Sequence, residues 1–500
     1  MSPHSTSLAV LISALGATSI PAQDWPQWLG AERNAKAVGF QAPATWPKSL
    51  TQKWKVTVGD GVSTPALVGD RLYVFSRQDG AEVLRCLNVA DGKEIWQDRY
   101  DALGATGGAQ AFSGPRSSPA VAQGKVVTLG IRGMLSSVDA ATGKSLWRKD
   151  DFQAYPVFFH SSSPLIAGNL AIAQLGGREN GAVAAYDLTS GEQKWKWSGS
   201  SPAYASPILL TVGGTQYVVA LTDSKYIALE SQTGKLAWES EASAPSPGPG
   251  ERPGGPGGPG GPGGPGGPGG PGGGGPGGGR GGGIRDRKAS TPIVDGSTLI
   301  LSGMGVQALQ LEKAGDSLTA KPLWKTADKT LAFNTPILKN GLIFGLTGNN
   351  ELFCLKAKDG TVAWTAPFPG SPAPEGGPGR PAAQRIAPQP IVAGQLIAQA
   401  DPAPPGGGQG RPRGPGGPGG GGRRGPMGGG AGYGSIVDAG SALLAITPAG
   451  ELIVFEPNET GLKVITSYKV APGQTYAYPI LSKNRIFIKD QNDLTLWIVE

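Results

Sequence analysis

Cysteine and histidine are almost missing from this chain. Two cysteines in 500 residues build no disulfide framework. Cys86 and Cys354 fall in the same slot of two repeated segments, L-R-C-L-N and L-F-C-L-K, so they read as small apolar strand residues rather than reactive thiols. Two histidines, His4 and His160, exclude H-E-x-x-H zinc sites and multi-histidine metal clusters. Long apolar runs are also lacking. Leu8–Leu15 is too short to span a bilayer, and no other segment approaches the necessary length. Aromatic residues are nearly absent from the Arg-containing Gly/Pro inserts, 245–283 and 402–434, where Tyr433 stands alone, so base stacking is unsupported and no nucleic-acid partner is expected.

Glycine and proline, by contrast, are abundant, 83 and 45 residues, but unevenly placed. Segments 245–283 and 402–434 hold most of the Gly-Pro runs and read as disordered inserts that bury no core. The formal charge of +7 also has an address. Residues 245–290 carry +3 and residues 366–434 carry +4, which leaves the remaining chain neutral. The basic balance therefore describes two inserts, which offer a surface for anionic polymers, and not a basic folded body.

Between the inserts runs a repeat. Val138–Trp147 (V-D-A-A-T-G-K-S-L-W) has sister copies at Leu87–Trp96, Tyr186–Trp195, Leu229–Trp238 and Leu355–Trp364. Each has Gly four residues before Trp and a polar residue four before the Gly. That is strand, tight turn, strand, with Gly at the left-handed turn position. A second signature precedes each copy: Ser or Thr near a Pro, then two short apolar strands, as in Ser63-Thr64-Pro65, Ser117-Ser118-Pro119 and Ser162-Ser163-Pro164. Pro suits the first residue of a strand. The unit is four short strands over about 40–50 residues.

Eight front halves can be counted, at Pro65, Pro119, Pro164, Pro207, Pro292, Pro336, one within 389–446, and Pro479. In the seventh unit Gln389–Ala400 and Ser435–Ile446 compete for the same strands. The last front half ends at Leu494–Val499 without a fourth strand, and Lys53–Val58 is a fourth strand without a front. The spacing predicts an all-β, eight-bladed β-propeller of four-stranded antiparallel blades over 51–500. Its first and last strands share one blade, which leaves no open array end. Trp54, Trp96, Trp147, Trp195, Trp238, Trp324 and Trp364 recur too regularly for a single cofactor site and read as packing between blades. Aspartates 91, 139, 187 and 359 recur in the turn and read as turn formers. Gly143-Lys144-Ser145 imitates the end of a P-loop but sits on a hairpin and lacks the upstream glycine.

Residues 1–22 read as an export signal, with an apolar core followed by small residues up to Ala22. No cysteine lies near position 20, so no lipid-anchored lipoprotein is expected. Residues 23–50, with D-W-P-Q-W and T-W-P, form an aromatic lead-in that should pack over the body. Arg116, His160, Tyr204, Lys288, Asn334 and Tyr476 precede the strand-opening positions and differ from blade to blade. They are the candidate ligand-binding residues at one mouth of the axial channel. For His160 the competing reading is a strand-opening histidine satisfied by a backbone partner.

The turn-Trp copies and the S-x-P-x-V-x-G front halves resemble the pyrrolo-quinoline quinone (PQQ) repeat superfamily, over roughly 50–240 and 285–500. The lead-in is similar to that of exported PQQ-binding-like or BamB-like propellers. The resemblance implies one of two functions. Quinoprotein dehydrogenases of this fold stack the cofactor between a Trp and a vicinal Cys-Cys disulfide, beside calcium and an Asp base; this chain has no adjacent cysteines. BamB-like proteins are non-enzymatic scaffolds at the outer membrane. The expectation is an exported, periplasmic or extracellular, monomeric scaffold that takes a protein or envelope-polymer partner and no cofactor. A PQQ- and calcium-dependent oxidoreductase is the alternative.

Overall fold

The computed structural model describes residues 24–242, 289–331, 333–369 and 433–500. The chain divides into two units: residues 1–371 with 430–500, and residues 372–429, which lie outside the described residues. The export-signal stretch, both Gly/Pro inserts, Lys288 and Gln389–Ala400 also fall outside them.

The first unit is an eight-bladed propeller. Blade 1 holds Ala66–Val68, Arg71–Gln78, Ala81–Asn88 and Glu94–Asp101, each antiparallel to the next. Blades 2, 3 and 4 repeat this order over Ala120–Lys149, Leu165–Ser198 and Ile208–Glu241. Blade 6 covers Ile337–Pro367. Blade 7 covers Ser435–Lys469, so Ser435–Ile446 supplies its first two strands. The only helical element among the described residues is one short 3-10 turn, Gly107–Ala109.

Blade 5 departs from the pattern, because Ile293–Asp295 is followed by unbroken runs Thr298–Ala314 and Ser317–Thr330. A straight run would put Ser297 and Leu311 roughly 45 Å apart. Instead the Leu311 amide donates to the Ser297 carbonyl at 3.0 Å, and Thr298 and Gln310 meet through their side chains. The run therefore doubles back near Gly305 (φ +115°), and blade 5 is four-stranded like the others.

Blade 8 closes the ring as the spacing predicts. Thr51–Thr57 pairs with Asp493–Ile498, register Trp54 to Leu496, and Ile480–Ser482 and Arg485–Lys489 complete the sheet. Lys55 forms an ion pair with Asp493 at 2.7 Å across this seam. Second and third strands are buried along almost their whole length, as Leu170–Leu175 and Leu352–Leu355 show, because each blade is sandwiched between two neighbours. Fourth strands alternate exposed and buried residues, as at the rim.

A hydrogen-bonded belt joins the blades around the axis. In six of the seven blades that open on a Pro, the residue before it donates its amide to the hydroxyl at the same position of the next blade. The links run Tyr478 to Thr64, Thr64 to Ser118, Ser118 to Ser163, Ser163 to Ser206, Ser206 to Thr291 and Thr291 to Thr335, at 2.9–3.3 Å. This explains the hydroxyl in the Ser/Thr-Pro signature. Pro fixes the strand's start, and the hydroxyl satisfies an amide that the sheet cannot reach. Blade 7 has Gly434-Ser435 instead, and there Tyr478 reaches across to the Thr335 carbonyl at 3.4 Å. Ser163→Ala should leave the Ser118 amide buried and unpaired, at a cost of about 1–2 kcal/mol. The guanidinium chloride midpoint, compared at unchanged slope, measures this.

Candidate functional site

The axis of a propeller is its natural concave site. Here one end is built over by the lead-in. Asp24 accepts from the Gly69 amide in blade 1, and Trp25 exchanges backbone hydrogen bonds with Leu67. Pro26 accepts from Val121 of blade 2. Trp28 donates to Thr291 of blade 5 at 3.1 Å and meets Tyr478 of blade 8 edge-on at 4.9 Å. Ala37 bonds to Asp438 of blade 7, and Gly39 and Gln41 bond to Lys483 of blade 8. The lead-in thus enters the ring rather than only covering it.

Arg33 is the centre of this plug. It is 6% exposed and has no acidic partner among the described residues. Its Nε donates to Gln27, Nη1 to the Pro207 carbonyl at 2.7 Å, and Nη2 to the Pro164 carbonyl. These are the opening prolines of blades 3 and 4. Burial pushes its pKa down to about 9, still high enough to keep the cation at neutral pH.

Loops joining successive blades form the opposite end, where the six candidate residues were expected. Lys288 lies outside the described residues. Arg116 donates to the carbonyls of Phe158, Ala109 and Phe112, tying two loops together; burial pushes its pKa down. Tyr476 lies edge-on to Phe112 at 5.0 Å and to Tyr433 at 4.8 Å, and Tyr433 stacks on Phe333 at 4.1 Å. Burial pushes the Tyr476 hydroxyl up to about 12. Tyr204 accepts from the Phe158 amide and faces that ring edge-on. Arg116, Tyr204 and Tyr476 are therefore gathered in one half-buried aromatic setting. Asn334 turns inward and brackets Leu346, donating to its carbonyl and accepting from its amide. His160 is 1% exposed, and neither ring nitrogen has a hydrogen-bond partner among the described residues, in contrast to the backbone-satisfied histidine the sequence suggested.

Six of the seven signature tryptophans donate Nε1 to a backbone carbonyl of the following blade or its turn: Trp54 to Val89, Trp96 to Ala140, Trp147 to Leu188, Trp195 to Ser231, Trp324 to Ala357 and Trp364 to Asn458. Trp238 is buried in one cluster with Leu309 and Leu311 of blade 5. Turn aspartates 139 and 187 accept from the amides that follow them.

Chemistry-bearing groups elsewhere are locked into structure. Cys86 and Cys354 are free and buried, and burial pushes their thiols up to about 11 and about 12. Glu82 accepts from Tyr100 and from the Ile131 amide, and burial raises its pKa. The Lys489 ammonium is held by the carbonyls of Gly61, Asp490 and Gln491, and burial pushes it down to about 8. Among the described residues no three His, Cys, Asp or Glu side chains converge as metal ligands would. Sequence reasoning did not single out Arg33, Glu82 or Lys489; each is an isolated charge outside any motif.

The family model for outer membrane protein assembly factor BamB matches residues 79–249 and 276–400. BamB of Bordetella pertussis is 22% identical over 235 residues, 46% of this chain and 53% of that protein. Quinohemoprotein alcohol dehydrogenase ADH-IIG of Pseudomonas putida is 27% identical over 209 residues, 39% of this chain and 27% of that protein. The matched stretches thus span about a quarter to about half of these relatives' own lengths. Among solved structures, BamB from Moraxella catarrhalis superposes with a TM-score of 0.53 at 12% identity, covering 90% of this chain and 98% of that one. Quinohemoprotein alcohol dehydrogenase from Comamonas testosteroni gives 0.56 at 13% identity, covering 95% and 80%. At such identities the likeness is one of fold.

Proposed function

The chain belongs to the family of the outer membrane protein assembly factor BamB, and from that premise we propose that it is an exported, non-catalytic propeller that binds a protein or polymer partner in the cell envelope. The observation that carries this reading is the plugged axis. Arg33 and Trp28 spend their donors on the Pro164 and Pro207 carbonyls and the Thr291 hydroxyl, so the concave centre of the ring is built from the chain's own residues. Binding then falls to the outer loops. Two apolar side chains stand out there, Leu103 at 70% and Val157 at 85% exposure. Arg132 clamps the loops that carry them, donating to the Leu103 and Gly104 carbonyls and to the Tyr155 hydroxyl. Apolar points on a rigid support suit a protein partner.

A PQQ-dependent oxidoreductase is favoured by one observation, the quinohemoprotein relatives. The residues present do not fit the group. The two cysteines sit singly in blades 1 and 6, and Trp28 is engaged edge-on by Tyr478.

One experiment has two readouts. Purified full-length chain is titrated with PQQ in excess calcium and assayed for dye-linked oxidation of alcohols and sugars; neither uptake nor dye reduction is expected. The same preparation, mixed with detergent-solubilised envelope, should elute in a larger stoichiometric complex. One-to-one PQQ uptake with turnover, or elution always at the volume of the free chain, overturns the reading.

A further inference from the structure

We infer that the loop 150–164 between blades 2 and 3 is an acid-released latch, held shut by a neutral His160. Phe159 has φ +64°, a conformation that bulky side chains rarely adopt and that persists only when the surroundings enforce it. Its amide closes a turn on the Pro156 carbonyl at 2.7 Å. The Phe159 ring stacks on Tyr155 at 4.7 Å, and Arg132 lies 5.5 Å from its centroid. His160 follows directly and donates its amide to the Ile131 carbonyl at 3.0 Å.

The imidazole then enters the interior with no hydrogen-bond partner on either nitrogen among the described residues. It stands against Gly133, where a Cβ would lie 3.3 Å from Nε2; the glycine makes room for the ring without offering it an acceptor.

The charged groups around the loop are engaged with other partners and do not hold a proton on that ring. Arg132 comes from the turn of blade 2, and Arg116, from the loop before it, donates to the Phe158 carbonyl. Glu82 of blade 1 is taken up by Tyr100 and the Ile131 amide. Within the loop itself, Asp151 accepts from Tyr186. Tyr155 bonds to Arg132, and Tyr204 of the next loop accepts from the Phe158 amide. Among the described residues no carboxylate bonds to His160, and burial alone pushes its pKa down to about 4.

Protonation therefore creates a buried cation with no acceptor for its proton among the described residues. Ejecting the imidazole hydrates that charge, breaks the bond to Ile131 and frees Phe159 from its strained conformation in one step. Those coupled events make the loop two-state. The sign follows from linkage. The folded pKa lies below the ordinary 6.5, so the closed loop is fully stable above 6.5 and loses stability as pH falls through the window down to about 4.

The test uses the full-length chain. Its only histidines are His4 and His160, so 13Cε1-histidine labelling gives two NMR signals, assigned with His160→Gln. Hydrogen exchange of peptides from 150–164 is followed in parallel from pH 7 to pH 4, corrected for intrinsic rates. Opening of the loop should rise on the order of 100-fold at pH 4 in the wild type and stay flat in His160→Leu. The proposal is overturned if His160 titrates near 6.5 while loop protection is unchanged. It is equally overturned if His160→Leu opens over the same pH range. Should that variant not fold, the wild-type imidazole titration and loop exchange decide by themselves, since the proposal requires both to move together.

Discussion

Arg33→Met should destabilise the propeller by about 3–4 kcal/mol. The substitution keeps most of the aliphatic stem and removes only the guanidinium. Two opposing effects follow. Loss of a buried, acid-free cation is favourable, because its desolvation cost disappears. Against this, the Pro164 and Pro207 carbonyls lose their donors at the centre of the ring, and Gln27 loses its partner. Each unsatisfied buried group costs about 1–3 kcal/mol, and hydrogen bonds to a charged group are the stronger kind. The carbonyls win because the site is buried, with Arg33 only 6% exposed, so bulk water does not reach them to replace the donor. Arg33→Lys should recover little, since one ammonium cannot reproduce the fork that spans blades 3 and 4. Denaturant midpoints of the full-length chain measure both variants. A midpoint for Arg33→Met equal to wild type would mean that the plug is ornament and that the ring closes without it.

The parts of the molecule that the sequence reveals are those written more than once. The hairpin with its Trp recurs, so the blades can be counted. Lys53–Val58 is recognisable as a fourth strand because six complete neighbours define what is missing, and its pairing with Leu494–Val499 follows. The same logic fails wherever a residue acts once. Arg33 sits in an irregular stretch with no period, and its partners are carbonyls, which leave no trace in a sequence. His160 fails differently. Its residue type suggested either a ligand or a satisfied strand-opening group, whereas the ring lies buried against Gly133 with no partner among the described residues.

Two repeated signals were legible only in part. The Pro of the Ser/Thr-Pro signature has an obvious use at a strand's start, which hides the use of the hydroxyl before it. That hydroxyl serves the preceding blade, not its own. The turn glycine behaves similarly. Its four-residue spacing from a Trp belongs to one hairpin, but the indole that presses on it comes from the preceding blade. A linear reading assigns both residues to the wrong neighbour, because in a ring each unit is completed by the next.

That misassignment yields the second large effect. Gly191→Ala should cost about 3–4 kcal/mol, most of it through Trp147 of the preceding blade. Gly191 has φ +70°, and a Cβ there would lie 2.6 Å from Trp147 Cγ. Trp147 cannot yield, since its Nε1 is tied to the Leu188 carbonyl and its ring packs near Tyr186. Gly124 provides the control: it has the same φ of +70° with nothing within 4 Å of the added Cβ. Gly124→Ala therefore reads the backbone term alone, about 1–2 kcal/mol. Trp147→Ala should itself cost about 3–5 kcal/mol by emptying the space between blades 2 and 3. In the double variant the clash is gone, so the two losses should fall short of additivity by about 2 kcal/mol. Additive losses, or a Gly191→Ala cost no greater than that of Gly124→Ala, would mean that backbone conformation alone keeps glycine in these turns and that the contact between blades is incidental.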